Sequence, residues 1–290
     1  MSAVEQLREA GLDADAVDRL LRLTLEEDLG ERGDVTSQLT VTDDAVLDVA
    51  YAAREDGVVA GLVVLARLVE LAAPTAVLEV CGADGDRVAA GAVLARLRGP
   101  ARDVLALERT SLNLLGHLSG VATATRAWAD AVAGTGARVR DTRKTMPLLR
   151  ALQKYAVRCG GGVNHRAGLY DAVLVKDNHV AAAGGVGLAT RAVVGADVVV
   201  QVEVDDLAQL DEALAAGAPQ VLLDNFTLDD LRAAVTRTRD VAPGTLLEAS
   251  GGLTLDRAHD VAATGVDYLA VGALTHSTRS LDIGLDHAAR

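Results

Sequence analysis

Aromatic side chains are nearly missing from this chain, which has one Phe, one Trp and four Tyr among 290 residues. A core without rings must be aliphatic, and Val, Leu and Ala suit parallel strands covered by helices. Cysteine is scarce as well, with only Cys81 and Cys159. Two distant thiols in a long chain are no disulfide scaffold and point to a reducing, cytoplasmic setting. Cys159 has basic neighbours, which lower a thiol pKa, but packing is its simpler role. No uncharged apolar run reaches the roughly 18 residues of a membrane span. The opening MSAVEQLREAG carries acidic residues and no apolar signal core.

Lysine is nearly as rare: Lys144, Lys154 and Lys176 are the only three, and they share one segment. Residues 138–176 hold nine Lys or Arg against Asp141 and Asp171, a local charge of +7 in a chain of net charge −13. The remainder therefore carries −20. One concentrated basic stretch in an acidic protein suits a strongly anionic small molecule. A pI near 4.9 argues against nucleic acid, which needs a broad basic face.

The two halves of the chain differ in rhythm. In the first, Asp13 caps an expected helix over AVDRLLRLTLEEDL, with Gly30 at its end. Residues 45–54 alternate as a strand and 60–73 follow as an apolar helix. VLEVCG and AVLARLRG read as strands joined by the turn Ala83–Asp86. This is an α+β module with mostly antiparallel strands. A long helix is expected from about Arg102 to Ala133, broken near Ser119-Gly120.

Beyond it the chain repeats strand then helix. The strands are ARVRDT, AVLVKD, VVVQVEV, QVLLDN, TLLEAS and DYLAVG. The helices between them include LAQLDEALAAG, LDDLRAAVTRT and LDRAHDVAATG. About six βα units predict an incomplete α/β barrel or a doubly wound sheet. No GxGxxG follows the first strand, so a dinucleotide fold is disfavoured. The expected division is an N-terminal domain over 1–115, a barrel over 116–275 and a tail over 276–290 that returns to the first domain as a strand.

Polar residues close nearly every strand of the repeat, and a barrel gathers such strand ends at one mouth. That would bring together Arg143, Lys144, Arg166 and Lys176. Arg offers a planar fork for carboxylate or phosphate, and Lys a point charge. Arg150, Lys154 and Arg158, four apart on an expected helix, read instead as a solvated face. Glu203 and Asp224 end consecutive strands. Carboxylates beside cations suit Mg²⁺ on a polyphosphate, proton transfer, or simple balance of nearby Arg. Ser250-Gly251-Gly252 and Gly272-Ala273-Leu274-Thr275 follow the last two strands, where backbone N–H groups bind a phosphate well. His165, between Asn164 and Arg166, suits a hydrogen bond to a carboxylate or ring nitrogen. No HExxH or CxxC spacing supports zinc. Asn178-His179 is expected to orient the loop after Lys176.

These segments together resemble the quinolinate phosphoribosyltransferase family. The matching stretches are EEDLGERGDVTS at 26–37, Glu108-Arg109-Thr110, Leu118 to Thr123, Asp141 to Thr145, Gly160 to Arg166 and Lys176 to His179. Val202-Glu203-Val204, Leu223-Asp224-Asn225, Glu248 to Gly252 and Val271 to Ser277 complete the series. Two positions depart from the family pattern. Leu148 replaces a usual glycine after Met146-Pro147, which affects the local turn, and Gln201 stands where Glu is frequent.

The resemblance implies an N-terminal α/β sandwich over an incomplete barrel, with two chains sharing each site in a homodimer or a larger assembly. It implies conversion of quinolinate and 5-phosphoribosyl 1-pyrophosphate to nicotinate mononucleotide, pyrophosphate and CO₂. It assigns quinolinate to Arg109 of the partner subunit, Arg143, His165, Arg166 and Lys176. It assigns the phosphoribosyl donor and Mg²⁺ to Lys144, Glu203, Asp224 and the two glycine segments, with Glu203 and Asp224 toward the metal. Lys144, Glu203 and Asp224 are thereby the expected catalytic groups. Thr142, Ser250, Gly251, Gly252, Gly272, Ala273 and His276 complete the expected substrate contacts. Competing readings are a nicotinate enzyme, a family paralogue tied to molybdate transport and a non-catalytic anion sensor. The multiple cations, suited to two carboxylates, disfavour the first two, and Glu203 with Asp224 disfavours the third.

Overall fold

The computed structural model describes residues 1–287 and divides the chain into two compact units. The first contains residues 1–126, 146–161 and 277 onward, and the second 127–145 and 162–276. The long helix thus stays with the first unit past residue 115, where Ser119 and Thr123 accept from the backbone N–H groups of Ala60 and Val58.

In the first unit, helices α1 (Ala3–Glu9), α2 (Ala14–Leu29) and α3 (Val35–Thr40) precede β1 (Val46–Ala53) and β2 (Gly57–Val58). Then come α4 (Leu62–Ala72), β3 (Val77–Val80), β4 (Arg87–Val88), β5 (Val93–Pro100) and α5 (Ala101–Ala131). Asp13 caps α2 by accepting from Ala16 N at 3.0 Å, and Gly30 closes the helix at φ 52°. The main sheet has the antiparallel order β12-β1-β5-β3, where β12 (Ile283–His287) is the returning tail. Tyr51 on β1 is fully buried, with its hydroxyl 2.9 Å from Ser111 Oγ, and burial pushes its pKa up to about 12.

Three expectations for this unit are corrected. The segment Ala83–Asp86 is more than a turn between paired strands, since β4 intervenes and pairs with β2. Asp84 there accepts from Leu62 N at 2.9 Å, so it caps α4, and from the Tyr155 hydroxyl at 2.6 Å. The expected break at Ser119-Gly120 does not exist, because α5 runs 31 residues without interruption. These small residues make a notch: Ser119 Oγ accepts from Ala60 N at 3.0 Å, and a Cβ on Gly120 would collide with Arg279 O. Finally, Lys154 is only 4 % exposed on α6 (Arg150–Cys159), so the solvated face fits Arg158 and not Lys154.

In the second unit, β6 (Arg138–Arg140), β7 (Ala172–Val175), β8 (Val199–Val204), β9 (Gln220–Asp224), β10 (Leu246–Ser250) and β11 (Tyr268–Ala270) form one parallel sheet. The order β6-β11-β10-β9-β8-β7 is the cyclic order of a βα barrel left open between β6 and β7. Helices α7 (Asp177–Ala183), α8 (Val186–Val193), α9 (Leu207–Ala215), α10 (Leu228–Val241), α11 (Ala258–Ala262) and α12 (Ala273–His276) follow strands as expected. One face of the sheet holds buried Val202, Val204, Val221, Leu223, Leu247 and Leu269. Cutting one such residue, Leu223, to Ala would cost about 2–5 kcal/mol. By the period of two and the parallel register, the opposite face carries Arg140, Gln201, Glu203, Asp224, Glu248, Ser250 and Tyr268. That polar face positions the site.

Candidate active site

A cavity of about 410 Å³ opens at the carboxyl ends of these strands. Its wall brings together Thr142, Arg143, Lys144, His165, Arg166 and Lys176 with Glu203, Asp224, Glu248 and Ser250. Residues 108 positions apart in the chain, as Thr142 and Ser250 are, meet here through strand register.

Each basic group has its own support. Lys144 is exposed, while its backbone is tied twice: its N–H donates to Thr142 Oγ1 at 3.0 Å, and its carbonyl accepts from Thr275 Oγ1 at 2.7 Å. Its side chain passes Gly272, where an added Cβ would lie 3.1 Å from Lys144 Cδ and 3.2 Å from His276 Nε2. Gly272 therefore makes room for the lysine side chain. Lys176 Nζ lies 3.1 Å from Glu203 Oε2, and its backbone N–H donates to His179 Nδ1 at 3.0 Å. His179 has the orienting role expected of it.

Arg166 donates from Nη1 to Ala172 O at 3.1 Å, leaving its buried Nε without a hydrogen-bond partner. Arg143 Nε is likewise buried and unpartnered. Burial first, and then the Arg143 guanidinium, push the Arg166 pKa down, while Asp171 pulls it back. Two guanidiniums repel one another here with donors unspent. A bound dianion relieves both conditions.

Among the carboxylates, Asp224 accepts from Asn225 Nδ2 at 2.7 Å. Asn225 sits at φ 57°, and a Cβ on Gly251 would collide with its side-chain oxygen. Gly251, itself at φ 90°, is thus required for close approach and for backbone conformation. Gly251, Gly252, Gly272, Ala273 and His276 do not line the cavity wall itself. Arg109 lies on α5 in the first unit and is exposed. Among the described residues no group of three or more His, Cys, Asp or Glu side chains is placed to hold a metal ion. The chain offers the pair Glu203 and Asp224, enough for a hard cation that takes its other oxygens from substrate and water.

Four residues in or beneath the cavity wall, of which Glu248 lines it, were not singled out as site groups by sequence reasoning. Asp141, fully buried, accepts from Asn164 Nδ2 at 2.6 Å and from His165 N at 2.7 Å, so it shapes the Asn164–Arg166 loop. Arg140 Nη1 pairs with Glu248 Oε2 at 2.6 Å, and its guanidinium stacks 3.7 Å from the Tyr268 ring centroid. Gln201 Oε1 lies 2.8 Å from His165 Nε2. The available signal was a polar pair two apart inside an apolar strand: Arg138 and Arg140, Gln201 and Glu203, Glu248 and Ser250.

Comparison with known proteins agrees with this arrangement. The family model for the C-terminal domain of quinolinate phosphoribosyl transferase matches residues 121–286, and the N-terminal domain model matches 34–119. A Mycobacterium leprae (strain TN) nicotinate-nucleotide pyrophosphorylase (carboxylating) is 52% identical over 284 residues, covering 94% of this chain and 97% of its own. A probable enzyme of the same name from Bacillus subtilis (strain 168) is 40% identical, covering 92% of each chain. The solved nicotinate-nucleotide pyrophosphorylase from Francisella tularensis superposes with a TM-score of 0.90 at 37% identity, covering 96% of this chain and 98% of that one.

Proposed function

The chain belongs to the quinolinate phosphoribosyltransferase family, and we propose how its cavity performs that family's reaction. The enzyme transfers the phosphoribosyl group of 5-phosphoribosyl 1-pyrophosphate to quinolinate with loss of CO₂, yielding nicotinate mononucleotide and pyrophosphate. The observation that carries the site reading is the pair of buried, unpartnered Nε groups of Arg143 and Arg166 beside Lys144 and Lys176.

Quinolinate brings two adjacent carboxylates, which Arg143, Arg166 and Lys176 neutralise. Arg109 of the partner subunit completes this set in a homodimer with shared sites. Lys144 faces the phosphates of the donor, joined by the backbone N–H groups of Ser250 to Gly252 and Gly272 to Ala273. Bond breaking at the ribose C1 builds oxocarbenium character, which the carboxylates of Glu203 and Asp224 stabilise. The same two residues would hold Mg²⁺, which supplies charge neutralisation for the departing pyrophosphate. After transfer the ring nitrogen is a cationic pyridinium. It accepts the electron pair left when the neighbouring carboxylate departs as CO₂, so no decarboxylation cofactor is needed.

Among the described residues no helix is long and apolar enough to cross a membrane. Both cysteines are free thiols, which supports a cytoplasmic setting. Release of pyrophosphate from 5-phosphoribosyl 1-pyrophosphate, dependent on added quinolinate, tests the proposal. Release without quinolinate, or none with it, overturns it.

A further inference from the structure

His165 lies in the cavity wall, yet neither ring nitrogen is left for a substrate. Its Nδ1 accepts from the Arg166 backbone N–H at 2.7 Å. A backbone amide can only donate, so Nδ1 carries no proton. The ring proton of the neutral imidazole is then on Nε2, which donates to Gln201 Oε1 at 2.8 Å. Gln201 is 2 % exposed and Glu248 1 %, so both are fixed by packing. Glu248 Oε1 stands 3.6 Å from the same Nε2, while Glu248 Oε2 is held by Arg140 at 2.6 Å.

We propose that Gln201 and Glu248 are positioning residues that hold the ring proton of His165 on Nε2, and that His165, through its free-pair Nδ1, in turn places Arg166 in the cavity. His165 is then a positioning residue that acts through Arg166, in place of the direct quinolinate contact that the family resemblance implies. The inference rests on the reading of this cavity as the quinolinate site.

Charge and geometry agree. Ionisable groups at the imidazole and its loop include Arg140 and Asp141 from the β6 end, Arg166 beside it and Glu248 on β10. The two guanidiniums oppose a further positive charge and the two carboxylates favour one. The neutral amide of Gln201 at the shortest contact leaves this balance unaltered. Protonating Nδ1 would set two donors, Nδ1–H and Arg166 N–H, against each other and release the Arg166 backbone. A carboxylate in place of the Gln201 amide would favour that imidazolium.

The first test needs no substrate and so separates this inference from the functional reading. In the ¹⁵N spectrum of the free protein at neutral pH, His165 should show a protonated Nε2 and an unprotonated Nδ1 coupled to the Arg166 amide. Protons on both nitrogens, or no such coupling, would overturn the proposal. The second test uses activity. His165→Asn, which keeps an acceptor near Nδ1, should hold kcat within about tenfold and raise the quinolinate KM only modestly. His165→Lys, which keeps the charge and loses the acceptor, should lose about a hundredfold or more in kcat/KM. The reverse ranking contradicts the proposal. Gln201→Glu should make the quinolinate KM rise as pH falls below about 7, the range where imidazole gains its proton. A KM profile parallel to that of the unmodified enzyme also contradicts it.

Discussion

Lys176 Nζ sits 3.1 Å from Glu203 Oε2, so the cavity pairs one of its cations with one of its own carboxylates. The pair joins a group that follows β7 to one on β8, and its members are assigned to different substrates. Replacing Glu203 with Gln therefore has opposite effects on binding and on turnover. Quinolinate affinity should hold or improve, because Lys176 is freed for the dianion. The kcat should fall by about 10²–10³, the scale of losing one preorganised electrostatic partner of the transition state. Steady-state kinetics with a direct binding titration check both. A weaker quinolinate affinity with unchanged kcat would place Glu203 outside the donor site.

The proposed metal role gives a second prediction. Glu203 and Asp224 are the proposed ligand pair, since Glu248 in the same wall is held by Arg140, and an ion so held would depend on substrate oxygens and be readily removed. Excess chelator should abolish pyrophosphate release, and Mg²⁺ should restore it. Asp224→Ala should raise the Mg²⁺ concentration needed for half-maximal rate. Full activity in chelator contradicts the metal role.

Leu148 occupies a left-handed backbone conformation at φ 64°, and its side chain is 82% exposed. The missing family glycine thus leaves a strained turn in the described chain. Little packing is lost by removing the side chain, and backbone strain is relieved. Leu148→Gly should stabilise the protein by about 0.5–1 kcal/mol after allowing for the entropy of glycine in the unfolded chain. A urea midpoint that moves downward would show that the leucine is instead covered in the assembled enzyme.

Much of this architecture was legible because apolar runs of four to six residues, each closed by a polar group, define a βα series. Arg143, Lys144, Lys176, Glu203 and Asp224 stood at those closures, and the structure gathers them around one cavity. Interior polar positions were less legible. Gln201 and Glu248 read as strand residues, and only parallel register shows that they face one another's neighbours. Lys154 read as solvated because helical spacing does not reveal which face is covered. Ser119-Gly120 read as a break because small residues mark both helix ends and close packing. Only the contacts with Ala60 and Arg279 distinguish the two.

The proposed sharing of sites between two chains predicts complementation between defective chains. Arg109→Ala and Arg166→Ala subunits should each be nearly inactive alone. After denaturation and joint refolding, hybrid dimers contain one site free of both substitutions, so activity should return to about a quarter of the unmodified level if subunits pair at random. Verified subunit exchange without recovered activity would contradict a site completed by Arg109 of the partner subunit.

The central claim is that this cavity is built for two adjacent carboxylates, and a comparison of quinolinate with nicotinate tests it most directly. Nicotinate lacks the carboxylate beside the ring nitrogen, so it leaves at least one of Arg143, Arg166 and Lys176 desolvated and unpaired. A site built for a polar group rejects an analogue lacking it by roughly 10⁴-fold. The account predicts kcat/KM for nicotinate lower than for quinolinate by about that factor, with nicotinate at most a weak inhibitor. Comparable kcat/KM for the two acids would contradict it.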